Sequence, residues 1–471
     1  MKLDRAPSLV SLAPALQSVF ALAGRKILDL DNTWDPAAGT PVFTVNGRYT
    51  SRGWTEWTQG FQFGMPILLF DATRDERFLM LGRDGTFQRM APHVSHIGVH
   101  DHGFNNISTY GNLRRLMLEG VIPHNAFERA FYEMALKASG AVQAARWTPI
   151  FSNADQPLNR DTGYIHSFNG PHSLFSDTIR SLRSLCLAHQ LGHPLMGEND
   201  KPINLLHRSI HHALTTARYN VYYGEGRDAY DTPQEKGRTV HESIFNTTDG
   251  RYRCPSTQQG YSPFSTWTRG LAWILAGFAE QLEFLQSVPA AELAAFPLAP
   301  ASAILKAYVR GATATADWYL AHSFADGMVY WDAGAPNIAQ PADYSRSVDP
   351  TSAAEPLDSS AAAIAAQGFL RLARYLETLD QDRTERYRAA AMTIAKTLFA
   401  EPYLSTDANH QGLILHSIYH RPNNWDHIPA GKKIPCGESS MWGDYHALEL
   451  ALMLHRELEN QPPLNFFDPP Q

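Results

Sequence analysis

The chain has 471 residues, of which 44% are hydrophobic and 18% charged, a composition typical of globular rather than disordered proteins. Its formal net charge of −7 argues against nucleic acid as a partner, because phosphates are bound by positive surfaces. The three cysteines, Cys186, Cys254 and Cys436, are too few and too far apart to predict a disulfide framework or a zinc site.

Helical periodicity dominates the sequence from its beginning. Residues 1–26 predict an amphipathic helix near 8–23 rather than a signal peptide, because Asp4 lies in the charged part and polar residues interrupt the apolar part. Further helices are predicted near 61–72, 124–139, 172–191, 203–219, 266–286, 301–322, 359–378, 384–399 and 439–457. Asp358 and Ser265 stand where two of these helices should begin. Short alternating runs at 250–254 and 328–331 predict strands.

These elements predict an all-α fold. Roughly ten to twelve helices joined by long polar loops fit six helical hairpins closed into a ring, an (α/α)6 barrel. No flexible linker divides residues 1–471, which predicts a single domain. An open α-solenoid is the alternative, but no repeat of 34 to 47 residues is visible. The long loops at 222–264 and 325–357 are expected to carry function.

Membrane association and secretion are not expected. No run of 18 apolar residues predicts a membrane span, and a cytoplasmic location is favoured over periplasmic export by another route.

Two aspartates are candidates for acid–base chemistry. Asp177 is surrounded at helical spacing by apolar residues, which predicts an inward-facing carboxyl whose pKa is raised by burial. The alternatives for Asp177 are a helix cap or an ion pair with Arg180 or Arg183. Asp101 lies between two histidines in a turn, where its simplest interpretation is a helix N-cap.

Aromatic and basic side chains suggest a carbohydrate site. Clustered rings in a glycine-rich turn suit stacking on sugar faces (Trp54, Trp57, Phe61, Phe63). Four nearby histidines lack the spacing of a metal site and favour hydrogen bonds to substrate hydroxyls (His93, His96, His100, His102). Arg269, between Trp267 and Trp273, is a candidate carboxylate clamp, with a structural ion pair as the alternative.

Six sequence motifs, taken in their order along the chain, indicate a protein family more specifically than any single residue does. They are WTQGFQFGM at 57–65, HDHGF at 100–104 with STYGN at 108–112, GYIHSF at 163–168 leading to Asp177, QGYSPFSTWTRGLAW at 259–273, DSSAAAIAA at 358–366 and SSMWGDYHALEL at 439–450. In this order, from Trp57 to Glu449, the chain resembles the unsaturated glucuronyl hydrolases, glycoside hydrolase family 88. The unsaturated rhamnogalacturonyl hydrolases are a more distant resemblance.

The resemblance implies an (α/α)6 barrel that hydrates the C4=C5 double bond of a non-reducing uronic acid on a lyase-generated oligosaccharide. It implies no metal and no organic cofactor. The acid–base role falls on Asp177 and the second essential carboxylate on Asp101. Substrate contacts fall on Trp57, His100, His241, Gln259, Arg269 and Trp273. The chain departs from the family at Ser181, where asparagine is common, and in the arginines that flank it.

Two other kinds of (α/α)6 protein are alternatives to this function. A different (α/α)6 sugar enzyme, such as an epimerase or an inverting glycosidase, would act on saturated sugars. A non-catalytic carbohydrate-binding barrel is expected to have lost one aspartate, whereas both are present. No nucleic acid or membrane partner is expected, and the chain is predicted to be a monomer or homodimer.

Overall fold

A computed structural model describes residues 1–53, 56–150 and 159–467, with the backbone alone for 159–161. Its α-helices are α1 (Leu9–Thr33), α2 (Gln59–Thr73), α3 (Glu76–Arg89), α4 (Ala91–Val94), α5 (His102–Asn106), α6 (Asn112–Leu118), α7 (Ala126–Ala145), α8 (Thr178–Ser181), α9 (Arg183–Gln190), α10 (Leu205–Tyr219), α11 (Thr268–Ser287), α12 (Ala290–Ala294), α13 (Ala301–Ala321), α14 (Ser359–Leu376), α15 (Gln381–Leu398) and α16 (Met441–Leu458). A π-helical turn, Ile107–Gly111, joins α5 to α6, so that 102–118 is one continuous helix.

The helices form two concentric rings. In the inner ring, α2 packs on the α5–α6 helix, which packs on α8 and α9; α11, α14 and α16 follow, and α16 packs back on α2. In the outer ring, α1, α3, α7, α10, α13 and α15 lie against these helices. Six inner and six outer helical elements within the described ranges confirm the predicted (α/α)6 barrel. The prediction of a single domain stays a prediction.

Burial explains the difference between the two rings. Every residue of α11 from Thr268 to Leu285 is buried, and nearly all of α14 and α16 is buried too, because these helices are covered on all sides. The outer helix α7 instead buries one stripe, which includes Tyr132 and Leu136, and exposes the rest. The core is therefore the layer between the rings.

The strands are short and lie in the connections. They are β1 (Phe43–Val45), β2 (Arg48–Thr50), β3 (Trp147–Ile150), β4 (Asn159–Ile165), β5 (Ser173–Phe175), β6 (Leu195–Met196), β7 (Pro202–Ile203), β8 (Glu242–Phe245) and β9 (Tyr252–Ser256). The pairs β1–β2, β3–β4 and β6–β7 are antiparallel hairpins, and β5–β8–β9 is a three-stranded antiparallel sheet. Leu174 faces Ser243 in the last sheet, which brings the segment before Asp177 beside the 241–245 segment.

The helix start predicted at Asp358 is correct, and the start predicted near residue 266 is close to the observed one. Asp358 caps α14, because its carboxylate accepts from the Ser360 amide at 3.1 Å. The helix predicted from about 266 begins at Thr268. The predicted 172–191 helix is wrong in its first half, where β5 precedes the short α8. Among the residues described, no helix combines the length and the apolar character needed to cross a bilayer.

Candidate active site

A cavity of about 410 Å³ opens at one end of the barrel. Its lining is Glu56, Trp57, His96, Gly98, Val99, His100, Asp101, Phe104, Phe168, Asp177, Gln258, Gln259, Trp267, Arg269, Trp273, Tyr419 and His420. Trp57, Asp101, Asp177 and Trp267 lie at or just before the first residue of an inner helix. The cavity therefore lies at the N-terminal ends of inner helices, where the helix dipole contributes a partial positive charge.

The two candidate aspartates meet at one imidazole. Nε2 of His100 lies 3.1 Å from Oδ1 of Asp177 and 3.7 Å from Oδ1 of Asp101. All three side chains are buried. The structure thus brings together two carboxylates that are 76 residues apart in the sequence, with a titratable nitrogen between them.

The structural alternatives for both aspartates fail. Asp101 and Asp177 occupy the N-cap positions of α5 and α8, but neither side chain makes a capping hydrogen bond. Arg180 pairs with Glu280 and Glu449 instead of Asp177. Helix capping or an ion pair with Arg180 therefore does not explain the positions of the two carboxylates.

The three groups shift one another's pKa. Burial raises the pKa of Asp101, an effect that the charge of Asp177 adds to and His100 opposes. Burial alone would lower the pKa of His100, but the two carboxylates outweigh it and the pKa is raised. For Asp177, burial is outweighed by the charge and hydrogen bond of His100, and the pKa is lowered. The expectation that the pKa of Asp177 is raised is therefore wrong, because the apolar neighbours on which it rests are outweighed by His100.

Ser181 holds the two carboxylate-bearing segments together. Its hydroxyl donates to the His100 carbonyl at 2.6 Å and accepts from the Gly103 amide at 2.8 Å. A Cβ at Gly103 would lie 2.3 Å from the Ser181 carbonyl oxygen, so glycine is required there. Ser181, where the chain departs from the family pattern, therefore connects the Asp101 turn to α8, the helix that follows Asp177.

Replacing Ser181 with alanine should therefore affect both folding and rate. Leaving the Gly103 amide buried without its acceptor is expected to lower the free energy of unfolding by about 1–3 kcal/mol. The value of kcat should fall as well, because the His100–Asp101 turn loses its anchor. Ser209→Ala is the matched control, since Ser209 is equally buried and its hydroxyl donates to Gln281 on α11, away from the turn. Equal losses of kcat in the two variants would contradict the anchoring role.

Five of the six predicted substrate contacts line the cavity: Trp57, His100, Gln259, Arg269 and Trp273. Trp57 stacks on Trp442 with ring centroids 5.1 Å apart, which fixes the orientation of its indole. Trp273 packs against Phe104 at 4.9 Å and is almost fully buried, so that little of its surface reaches the cavity. The indole of Trp57 is thus the better placed of the two for stacking on a sugar.

Arg269 also lines the cavity, but its guanidinium is already engaged. It forms an ion pair with Asp358 at 3.1 Å and donates to the carbonyls of Ile418 and Tyr419. It also donates to Oε1 of Gln259 at 2.7 Å. These contacts favour the ion-pair alternative and make Arg269 a support for the Gln259 amide. Its role as a carboxylate clamp stays a prediction.

His241 lies behind the cavity wall. Its Nδ1 accepts from the Gln258 amide at 2.9 Å, and its ring packs on Trp267 and Phe175. Burial lowers the pKa of His241 to about 4, so its imidazole is neutral at pH 7. The contact predicted for His241 is therefore indirect in this geometry, through the Gln258–Gln259 backbone.

The predicted aromatic platform and histidine group are only partly at the cavity. Trp54 is outside the described residues, and Phe61 is fully buried against aromatic side chains of the inner helices α5 and α16. His93 and His102 make internal hydrogen bonds, with Gln59 and with Ser139. The other members of the histidine group, His96 and His100, line the cavity. Within the described ranges no three His, Cys, Asp or Glu side chains converge as metal ligands do.

Several cavity residues lie outside the sequence motifs, among them Tyr419 and His420. Tyr419 and His420 belong to a segment, LILHSIYH at 413–420, that carries none of the six motifs. The hydroxyl of Tyr419 accepts from the Trp57 indole at 3.4 Å, and both backbone amides are held by the Asp426 carboxylate. The segment begins with three apolar residues in a row and shows no regular alternation, so its pattern does not indicate a site.

Comparison with known proteins finds relatives over most of the chain. An unsaturated glucuronyl hydrolase from Bacillus sp. (strain GL1) is 26% identical over 427 residues, which cover 87% of this chain and 89% of the relative. The chain is thus similar to an unsaturated glucuronyl hydrolase over most of its length. No family model matches it.

Solved structures of the family share the fold. The crystal structure of the unsaturated glucuronyl hydrolase from Bacillus sp. GL1 superposes with a TM-score of 0.67 at 23% identity, over 94% of this chain and 97% of that one. An aspartate-to-asparagine mutant of the Streptococcus agalactiae unsaturated glucuronyl hydrolase, complexed with dGlcA-GalNAc6S, superposes with a TM-score of 0.63 at 18% identity, over 98% and 95%. These matches extend over nearly the whole length of both chains.

Proposed function

We propose that the chain releases a 4,5-unsaturated uronic acid from the non-reducing end of lyase-generated oligosaccharides. The observation that carries this proposal is the Asp101–His100–Asp177 arrangement at the closed end of an aromatic cavity. Hydration of an enol ether needs a proton donor and a negative charge beside the cation that forms, and this arrangement supplies both.

The cavity is suited to a uronate ring. Its volume of about 410 Å³ falls in the range of small-molecule sites, and Trp57 offers a flat face for a pyranose. The uronate carboxylate would be stabilised by the helix N-termini that face the cavity, since Arg269 is already neutralised by Asp358. The complex of the Streptococcus agalactiae enzyme with an unsaturated disaccharide supports the same substrate class here.

The proposed reaction begins with proton transfer. A bound uronate brings a negative charge and excludes water, both of which raise the pKa of Asp177 and draw the His100 proton towards it. Asp177 then protonates C4, and the ionised Asp101 stabilises the positive charge that develops at C5. Water adds its oxygen to C5 and returns a proton to Asp177. The resulting hemiketal opens and releases the remainder of the oligosaccharide.

The test is a direct assay of the double bond. Wild-type protein is mixed with unsaturated fragments of glycosaminoglycan, gellan, xanthan and ulvan, and the loss of the C4=C5 ultraviolet absorbance is followed. Absorbance should fall with at least one fragment, while the saturated counterparts stay intact. Cleavage of saturated glycosides alone would contradict the proposal.

We expect a bell-shaped pH dependence of kcat/KM. Asp101 must be ionised, and because its pKa is raised, activity is lost on the acid side above the ordinary pKa of an aspartate. The proton on His100 is present below its raised pKa and is lost as the pH rises through that value, which sets the alkaline limb. His100→Gln should remove the alkaline limb from its residual activity, and an unchanged limb would assign it to another group.

Location and assembly stay predictions. A cytoplasmic protein that acts as a monomer or homodimer, without nucleic acid or membrane partners, is consistent with the net charge of −7. Size-exclusion chromatography with light scattering would measure the assembly state.

A further inference from the structure

Three aromatic side chains are exposed close to the cavity wall. Tyr261 is 50% exposed, Phe264 51% and Tyr230 45%. The rings of Tyr230 and Phe264 lie with centroids 4.3 Å apart and planes at 34°, so they form one surface although they are 34 residues apart. We call the three residues the rim platform. Exposed apolar rings that pack on each other in this way are typical of recognition surfaces.

The rim platform is continuous with the cavity. Gln258, Gln259 and Trp267 all line the cavity, and Tyr261 and Phe264 lie in the short loop between them. Both ends of this loop are therefore in the cavity wall, and its exposed middle lies at the cavity's rim. A ligand that extends out of the cavity along this wall meets the rim platform first.

Each of the two loops that carry the rings is held by a buried aspartate. The carboxylate of Asp332 accepts from the Tyr261 amide at 2.8 Å and from the Ser265 hydroxyl at 3.0 Å. The carboxylate of Asp231 accepts from four backbone amides at 223–227, beside Tyr230. A rigid mounting lowers the entropy lost on binding, which is what a preformed stacking surface requires.

The close packing of the loop supports this rigidity. A Cβ at Gly260 would lie 2.7 Å from Oγ1 of Thr257, and one at Gly334 would lie 2.5 Å from Cβ of Ser265. Within the loop, Ser262 accepts from the Phe264 amide at 3.1 Å. The exposed rings are thus presented by a tightly packed loop.

We propose that the rim platform binds, by stacking, the sugar rings that follow the unsaturated uronate in substrates longer than a disaccharide. This rests on the proposed function, because the uronate must occupy the cavity for the next rings to reach the rim. The flat apolar faces of pyranoses match aromatic rings, whereas the cavity of about 410 Å³ holds only the first part of such a chain. The rim platform would make the protein prefer longer oligosaccharides.

The experiment compares an unsaturated tetrasaccharide with the disaccharide from the same lyase digest. For wild-type protein, the ratio of the two kcat/KM values should favour the tetrasaccharide. In Phe264→Ala and Tyr230→Ala this ratio should fall by about 5- to 30-fold, the effect of one or two kcal/mol. The control is Phe127→Ala, which removes a ring that is 80% exposed near the start of α7 and should leave the ratio unchanged.

The outcomes separate the two proposals. Failure of wild-type protein to remove the double bond from either substrate would overturn the proposed function and the rim platform with it. Activity on both substrates with a ratio that the Phe264 and Tyr230 variants do not change would overturn the rim platform alone. A change in sedimentation of these variants, with the ratio intact, would also overturn it and identify a self-association surface. Circular dichroism of each variant checks that it is folded.

Discussion

Asp177→Asn is expected to lower kcat on an unsaturated disaccharide by about 10²- to 10⁴-fold, the usual contribution of a positioned acid–base group. The amide cannot take the proton that His100 holds 3.1 Å away, so C4 has no donor. Loss of the C4=C5 absorbance over time measures the rate. The thermal midpoint should stay close to that of the wild type, because the amide keeps the shape of the carboxyl. Asp101→Asn is expected to lose rate in the same range through the missing charge beside C5.

Asp343→Asn is the matched control for the aspartate variants. Asp343 lies on an exposed loop and contacts Arg346, so the same chemical change there should leave kcat within about twofold. Near-full activity of Asp177→Asn would move the acid–base role to another group. His100 and Asp101 would then be the remaining candidates.

Arg180→Met is expected to lower the free energy of unfolding by about 3–5 kcal/mol. Arg180 lies fully buried between Glu280 and Glu449, in a network that also includes Arg183 and Arg371. Methionine fills a similar volume but leaves both carboxylates in the core without their main counter-charge. Denaturant unfolding measured at pH 7 would give the loss.

The control is Arg388→Met, which removes an ion pair with Glu457 on the outside of the barrel. Both side chains are partly exposed, and a loss of at most about 1 kcal/mol is expected, because solvent screens such pairs. Similar losses in the two variants would mean that the buried network is not essential for stability. Glu449 belongs to the last of the six sequence motifs, and its carboxylate acts in this network rather than at the cavity.

The barrel was predictable because most of its helices follow simple rules. Outer helices such as α7 and α13 have one apolar stripe, and Asp358 marks the start of α14. The helix at 102–118 was not predicted. It is buried on every side, contains a π-helical turn and is rich in glycine and asparagine, so neither periodicity nor helix propensity reveals it. Helix α3 was missed as well, since its apolar residues are interrupted by Gly82 and Gly85.

Several residues of the candidate site were predictable from the sequence, but the electrostatics of the site were not. Asp101 and Asp177 were identified from their neighbours and from motif order, yet their contact through His100 depends on a packing of α5 on α8 that no local pattern encodes. The lowered pKa of Asp177 follows from that contact. The pairing of Arg269 with Asp358 is equally non-local, with 89 residues between the partners.

Part of the positive potential at this cavity comes from peptide groups rather than from side chains. Amides at the starts of α2, α5, α8 and α11 keep the same partial charges at every pH, and no single substitution removes them. These peptide groups therefore contribute the same attraction for an anionic saccharide at every pH. The part of KM that varies with pH is expected to come from the buried charges of His100, Asp101 and Asp177.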